Sequence, residues 1–170
     1  KNVTKELVRE AQRRTGGAVK VLLVDRGFID GVLLWWLGTK MKIRFIIPAR
    51  GNMEVSQDIR GFRSEKADGQ RVFWEETKEV KVLGVRGLLS YDQFGEEGHK
   101  RRKGRKDFQA HPINGVMVVR WDWRDYEPGE EKVFLTNLSV SRPLKVLERY
   151  GLRSEIENQG FRELKQGYHL

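Results

Sequence analysis

Two carboxylates near opposite ends of the chain, Asp25 and Glu157, are the first candidates for chemistry. Asp25 follows Val19–Val24, a nearly continuous apolar run rich in β-branched residues, which predicts a strand buried on both faces. In an α/β sheet, functional residues gather at the carboxyl ends of the strands, where the loops face a common crevice. We therefore take Asp25 as a candidate functional residue; the alternative is that it caps a turn or pairs with Arg26.

Glu157 lies in Arg153–Gln166, which we predict to be a helix. Arg153, Glu157, Phe161 and Lys165 follow one another at a spacing of four and so share one face of that helix. Ordinary ion pairs at this spacing stabilise a helix by only ~0.3–0.5 kcal/mol, and they would produce the same pattern. The spacing alone therefore leaves both interpretations open.

The middle of the chain contains a basic run and two tryptophans that could contact nucleic acid. The run consists of Lys100, Arg101, Arg102, Lys103, Arg105 and Lys106. It could bind DNA phosphates, with an affinity that falls as salt is added, or it could be a solvated loop. Trp121 and Trp123 could stack on an extruded base. Their alternation with Met117 and Val119 favours the other interpretation, a buried strand face.

Strands and helices alternate before Arg50. The predicted elements are a helix at Thr4–Arg14, the strand Val19–Val24, a helix at Asp30–Leu37 ended by Gly38, and a strand at Lys42–Ile47 closed by Pro48. Strand, helix and strand with short links form a βαβ unit, so the two strands should be parallel neighbours.

From Asn52 to about Glu131 the sequence has many glycines, mixed charges and short β-like runs. The predicted strands are Arg71–Trp74, Glu79–Leu83, Gly115–Trp123 and Lys132–Thr136, the last two forming a hairpin. A helix at Pro143–Arg149 is interrupted by Gly151 before the helix that carries Glu157. The predicted fold class is α/β, with a core formed by residues 1–50 and 132–170 and a β-rich insertion at residues 51–131.

Composition excludes several classes of site and favours a polyanionic partner. The 170 residues include no Cys and only three His, without ligand-like spacing, so disulfides, thiolate metal sites and a His-based zinc site are not expected. No apolar run approaches the ~18–20 residues of a membrane span, so we expect no membrane partner. The net charge of +9 favours a polyanionic partner, nucleic acid first and an anionic membrane surface second.

Three motifs in order resemble the insertion-sequence DDE transposases that carry a β-stranded insertion. They are Asp25-Arg26-Gly27-Phe28 after a buried strand, Leu135-Thr136-Asn137-Leu138 at the end of a late strand, and a Tyr/Arg/Glu signature at Tyr150, Arg153 and Glu157. The resemblance covers both ends of the chain, and the middle matches only as an insertion of short strands.

The resemblance implies a partial ribonuclease-H-like core and an enzyme that cleaves DNA and transfers strands at transposon ends. Asp25 matches the family's second catalytic Asp and Glu157 its catalytic Glu, so both would bind two Mg²⁺ or Mn²⁺ ions about 3.5–4 Å apart. Their carboxyl carbons should then lie within roughly 10 Å of each other. Tyr150 and Arg153, with Arg26 and Lys165, would contact DNA, because an Arg can bind a phosphate through two nitrogens.

The resemblance also implies transposon-end and target DNA as partners, a homodimer in the synaptic complex, and a location in the prokaryotic cytoplasm at the nucleoid. Two departures from the family pattern matter. The family's first Asp lies on a strand upstream of Lys1, and Lys165 lies one residue beyond the usual spacing from Glu157. We therefore expect a fragment that is inactive by itself.

Two other functions fit the same residues. One is a nuclease or resolvase on the same fold, which would cut DNA without transferring strands. The other is a basic nucleic-acid-binding domain without catalysis, derived from a decayed or domesticated transposase, which needs no site for two metal ions.

Overall fold

Strands from both ends and from the middle of the chain pair into one mixed sheet. The computed structural model describes residues 2–91, 111–121 and 132–153. In chain order the elements are α1 (Asn2–Arg14), β1 (Val21–Leu23), α2 (Gly31–Trp35), β2 (Arg44–Pro48), α3 (Glu54–Gly61), β3 (Val72–Glu76), β4 (Val80–Leu88), β5 (Ile113–Trp121), β6 (Lys132–Thr136) and α4, the helical residues 143–153. None of the helices in these ranges is long and apolar enough to cross a membrane.

The strand order in the described part of the sheet is β1-β2-β6-β5-β4-β3. β1 and β2 are parallel, with Val21 opposite Arg44 and Leu23 opposite Ile46, and α2 connects them. This confirms the predicted βαβ unit. The other neighbouring strands are antiparallel, and the β5–β6 pair confirms the predicted pairing, although the turn between them lies outside the described residues. β3, β4 and β5 share a sheet with β1 and β2, while the division into core and insertion remains a prediction.

Side chains from alternate positions of the strands pack on opposite faces of the sheet. On β2, Phe45 and Ile47 belong to the cluster covered by α1, α2 and α3, which we call the α1–α3 face. Ile46 belongs to the cluster covered by α4, the α4 face. On β5, Met117 and Val119 contact the α1–α3 face, which confirms that they share a face as predicted. The central strands are therefore apolar on both faces, as expected of a sheet between two helical layers.

β1 is shorter and less buried than predicted. It covers three residues rather than six, and Val21 is 38% exposed while Leu22 and Leu23 are half-buried. The prediction of burial on both faces is wrong because β1 is the edge strand of the described sheet. Backbone pairing nevertheless continues at both ends, with Arg44 N–H donating to Lys20 O at 2.9 Å and Val24 N–H donating to Ile46 O at 3.2 Å.

Two glycines predicted to end helices do not end them. After α2 the chain continues as a wider helical turn, Trp36–Lys40, that passes through Gly38. A Cβ at Gly38 would lie 3.0 Å from Nδ2 of Asn137, so this glycine allows a close approach rather than a helix end. α4 passes through Gly151 without a break. A helical glycine destabilises by only ~1 kcal/mol, and the packing of α4 on the sheet outweighs that.

α3 is absent from the predicted elements, because the sequence after Asn52 predicts short strands. Its buried residues Val55 and Ile59 and the half-buried Phe62 beyond its end have helical spacing, a signal present in the sequence. Ile59 packs onto Gly115 of β5 so closely that a Cβ there would lie 2.4 Å from Ile59 Cδ1 and 2.7 Å from Leu88 Cδ1. Gly115 therefore sets how near α3 approaches the sheet.

We predict that Gly115→Ala destabilises the fold by about 1–3 kcal/mol, because the added methyl overpacks the contact with Ile59. Urea denaturation followed by circular dichroism measures the change. Gly61→Ala is the matched control, since a Cβ at Gly61 meets nothing within 4 Å. Equal stability of the two variants would show that α3 moves freely enough to accept the methyl.

Candidate functional site

Asp25 leaves the sheet at the carboxyl end of β1, as predicted. It precedes a single tight turn, Arg26–Phe28, and its Oδ1 accepts a hydrogen bond from the Arg26 backbone N–H at 2.5 Å. Asp25 therefore does cap a turn, which is the alternative weighed from the sequence. The cap occupies one oxygen, and the side chain is 56% exposed, so the carboxylate remains accessible from solvent.

Arg153 of α4 reaches Asp25 from the other end of the chain. Its Nη2 lies 3.8 Å from Asp25 Oδ2, and its Nη1 donates a hydrogen bond to Tyr150 Oη at 3.1 Å. The guanidinium thus bridges a phenol and a carboxylate. Because the two charged side chains are 28% and 56% exposed, the pair contributes only ~0–1 kcal/mol to stability. The contact places Arg153 beside Asp25 without fixing it there.

Packing rather than charge holds α4 over the site. The Tyr150 ring lies 4.8 Å from the Phe134 ring of β6, with the planes tilted by 51°. Such aromatic pairs contribute ~0.5–1.5 kcal/mol beyond the area that they bury. Val146 is buried on the same face, and Leu147 packs beside it. Tyr150 therefore packs its ring against the sheet and accepts a hydrogen bond from Arg153 at its hydroxyl.

The start of α4 is fixed by β3, the strand at the opposite edge of the described sheet from β1. Pro143 occupies the first helical position, where its missing N–H is not needed. Glu75 of β3 accepts a hydrogen bond from the Leu144 backbone N–H at 2.8 Å, and its other oxygen lies 3.6 Å from Arg142 Nε. A carboxylate at this helix end satisfies a free N–H and complements the helix dipole. α4 therefore runs from β3 to the turn after β1.

The Leu135-Thr136-Asn137-Leu138 motif joins β6 to β2 through its polar side chains. Thr136 is fully buried, and its Oγ1 donates to Phe45 O at 2.6 Å and accepts from Leu138 N–H at 3.0 Å. Asn137 accepts from Phe45 N–H at 2.8 Å and donates to Ile43 O at 3.1 Å. We call these two residues the polar clasp. The motif was visible in the sequence, but its partners lie more than ninety residues away and could not be inferred from it.

The structure brings three predicted site residues together, namely Asp25, Tyr150 and Arg153. Arg26 is exposed beside them. The backbone of Trp121 pairs with Val80 in the sheet. The remaining predicted site residues lie outside the described ranges: Glu157, Lys165, Trp123 and the basic run Lys100–Lys106. The predicted distance between Asp25 and Glu157 therefore stays a prediction.

The whole chain, residues 1–170, matches the protein family described as the transposase DDE domain. The chain belongs to this family. The resemblance predicted from the three motifs is thereby confirmed, and the family is that of DNA transposases. A search of curated proteins found no match.

Transposases of the DDE family generally use divalent metal ions, so Asp25 is a candidate metal ligand. An exposed carboxylate is the oxygen donor that Mg²⁺ and Mn²⁺ prefer, and Asp25 Oδ2 is turned outward toward α4. Within residues 2–91, 111–121 and 132–153, no three His, Cys, Asp or Glu side chains are grouped closely enough to hold a metal ion. Asp25 therefore fits as one ligand, and further ligands would come from outside these ranges.

We predict that Thr136→Val destabilises the domain by about 1–3 kcal/mol, because the variant keeps the side-chain shape but removes the hydroxyl from two buried hydrogen bonds. Asn137→Ala should act in the same direction. Thr39→Val, at an exposed position, is the control. Thermal and urea unfolding give the comparison, and a Thr136→Val protein as stable as Thr39→Val would show that the clasp does not hold β6 to β2.

Proposed function

We propose that the chain provides the catalytic residues of a DNA transposase, on a ribonuclease-H-like core, that cleaves phosphodiester bonds at transposon ends and joins them to target DNA. The observation that carries the proposal is the meeting of Asp25, Tyr150 and Arg153, which come from opposite ends of the chain. A carboxylate, an arginine and a phenol around one exposed point suit the binding and cleavage of a phosphodiester. Membership of the DDE family supports the same reaction class.

Asp25 would act as a metal ligand, together with Glu157. The ions, two Mg²⁺ or Mn²⁺, supply activation of the attacking oxygen and stabilisation of the leaving oxygen. The turn Arg26–Phe28 holds the Asp25 backbone in place, and the Oδ1 hydrogen bond limits rotation of the carboxylate. Oδ2 is the oxygen that lies nearer to Arg153 of α4. The chain thus fixes one donor before any ligand arrives.

Arg153 would bind the phosphate next to the bond that is cut. Its guanidinium offers a planar set of donors that matches two phosphate oxygens. In the structure it lies 3.8 Å from Asp25 Oδ2, beyond hydrogen-bond distance, so its contact with Asp25 is a weak ion pair that a phosphate can replace. Tyr150 holds the same guanidinium at 3.1 Å and limits how far it can move. We assign Tyr150 the role of a positioning residue for Arg153.

The wider assignments follow from the same proposal. Transposon-end and target DNA are the partners, a homodimer forms the synaptic complex, and residues 51–131 form an insertion whose basic run, Lys100–Lys106, contacts DNA. The net charge of +9 supports a polyanionic partner.

A second candidate function is DNA binding without catalysis. It is favoured by the partners that Asp25 already has, a backbone N–H at Oδ1 and a guanidinium near Oδ2, which compensate part of the carboxylate charge without a metal ion. A nuclease on the same fold would share the metal site and lack strand transfer. Activity on DNA separates these functions: joining of cut ends supports a transposase, cutting alone supports a nuclease, and neither supports a binding domain.

We predict that, in a transposase that contains this chain, Asp25→Asn abolishes Mg²⁺-dependent nicking of a plasmid that carries the transposon ends. Loss of a metal ligand removes several kcal/mol of transition-state stabilisation, a rate decrease of ~10²-fold or more. Asp58→Asn, at an exposed carboxylate of α3, is the control and should nick at the wild-type rate. Calorimetric titration with Mn²⁺ should show weaker binding only for Asp25→Asn. Unchanged nicking and Mn²⁺ affinity would remove Asp25 from the site.

We predict that Arg153→Gln changes the free energy of unfolding by no more than about 1–2 kcal/mol, because it removes one ion pair to a half-exposed carboxylate and one hydrogen bond to Tyr150. Nicking should nevertheless fall by ~10–100-fold, because a charged hydrogen bond to phosphate is worth ~1.5–3 kcal/mol. Arg153→Lys keeps the charge but lacks the planar fork, so it should recover only part of the activity. A variant that loses stability and activity in proportion would indicate that Arg153 only holds the fold together.

A further inference from the structure

Three basic residues form a stripe along α4 that no step of the proposed function uses. They are Arg142, which immediately precedes the helix, Lys145 and Arg149. All three are exposed, and spacings of three and four residues place them on one side of the helix. Arg153 follows Arg149 at a spacing of four, so the stripe continues to the residue that contacts Asp25. With a rise of 1.5 Å per residue, the path from Arg142 to Arg153 is about 16 Å long.

The stripe borders a surface depression rather than a flat helix side. Arg142, Lys145 and Arg149 line it together with Leu138, Ser139, Ser141 and Val146. The hydroxyls of Ser139 and Ser141, which line the depression near Arg142, lie 2.9 Å apart. Cationic side chains and hydroxyls are the groups that contact phosphate oxygens in protein–DNA complexes.

Within the part of the chain that the structure describes, an ion pair is formed at the first member of the stripe. Glu75 lies 3.6 Å from Arg142 and is only 24% exposed, so it faces the helix start rather than the depression. Glu148 is exposed on α4 but lies roughly a quarter turn around the helix from the stripe. Lys145 and Arg149 therefore supply most of the positive charge that a ligand in the depression would meet.

We propose that this stripe binds the phosphate backbone of one DNA strand and leads it to Asp25. The proposal rests on the proposed function, because it takes the end of the stripe at Arg153 as the reaction centre. At 3.4 Å per nucleotide along a duplex, a path of about 16 Å spans four to five nucleotides. The stripe makes contacts to phosphates and none to bases, so it adds affinity without reading sequence.

The test is the salt dependence of duplex DNA binding, measured by fluorescence anisotropy on a labelled 20-base-pair duplex in EDTA. The test variant is Lys145→Ser/Arg149→Ser. The matched control is Arg63→Ser/Lys66→Ser, which removes one Arg and one Lys from a depression beside Trp74, a residue that packs against the α1–α3 face. The slope of log K against log salt is negative, and removing one phosphate-binding cation reduces its magnitude by ~0.9. The magnitude should therefore decrease by about 1.8 in the test variant and little in the control. Lys145→Arg/Arg149→Lys keeps both charges and should keep the slope.

Two results would overturn the proposal. Equal decreases of slope in the test and control variants would mean that binding depends on net charge rather than on the stripe. An unchanged slope in the test variant would mean that DNA follows another path. Circular dichroism melts confirm that the variants fold, as expected for exposed positions. Because EDTA removes divalent ions, DNA binding is measured independently of cleavage. If the test variant gives a shallower salt dependence but Asp25→Asn still nicks DNA, the stripe is supported and the proposed active site is rejected. If the salt dependence is unchanged but Asp25→Asn is inactive, the active site is supported and the stripe is rejected.

Discussion

The site depends on how β6 ends against β2. Thr136 and Asn137 replace the regular backbone ladder at this point with side-chain hydrogen bonds to Phe45 and Ile43. Since β2 also pairs with β1, the clasp ties together the strand that precedes Asp25 and the chain that leads into α4. Buried hydrogen bonds of this kind are costly to leave unmade, so they fix one geometry for the junction. The distance between Asp25 and Arg153 therefore depends on this junction.

At the site, aromatic packing positions the backbone of α4, whereas a weak ion pair holds the Arg153 side chain near Asp25. Tyr150 is held by its ring against Phe134, whereas the half-buried Arg153 guanidinium lies 3.8 Å from its carboxylate partner. A helix backbone positioned by apolar contacts gives a long side chain a fixed origin, and weak ion pairs leave its end able to exchange partners. A group that must hold a phosphate and later release it needs this combination.

The sequence predicted the parts of the fold that rest on local signals. Lys132–Thr136 and the parallel pair of β1 and β2 follow from β-branched runs bounded by Gly and Pro, and the structure contains both. Gly38 and Gly151 are predicted to end helices, but both lie within helical stretches. Whether a glycine ends a helix depends on tertiary contacts, such as that of Gly38 with Asn137, which is far away in the sequence. At the site, the family motifs singled out Asp25, Tyr150 and Arg153. Their mutual contacts could not be predicted from spacing, because spacing within a helix suggests only neighbours on that helix.

The described part of α4 is held at opposite edges of the described sheet, by Glu75 of β3 at its start and by the contact of Arg153 with Asp25 after β1. This makes the number of residues in the helix a fixed quantity. Deleting one residue between Pro143 and Tyr150 would turn Arg153 by about 100° around the axis and draw it back by about 1.5 Å, away from Asp25. Surface connections elsewhere, such as the Gly16-Gly17 turn after α1, can change length without such an effect. Relatives of this chain that keep the site should therefore vary in the length of their loops while α4 keeps its residue count.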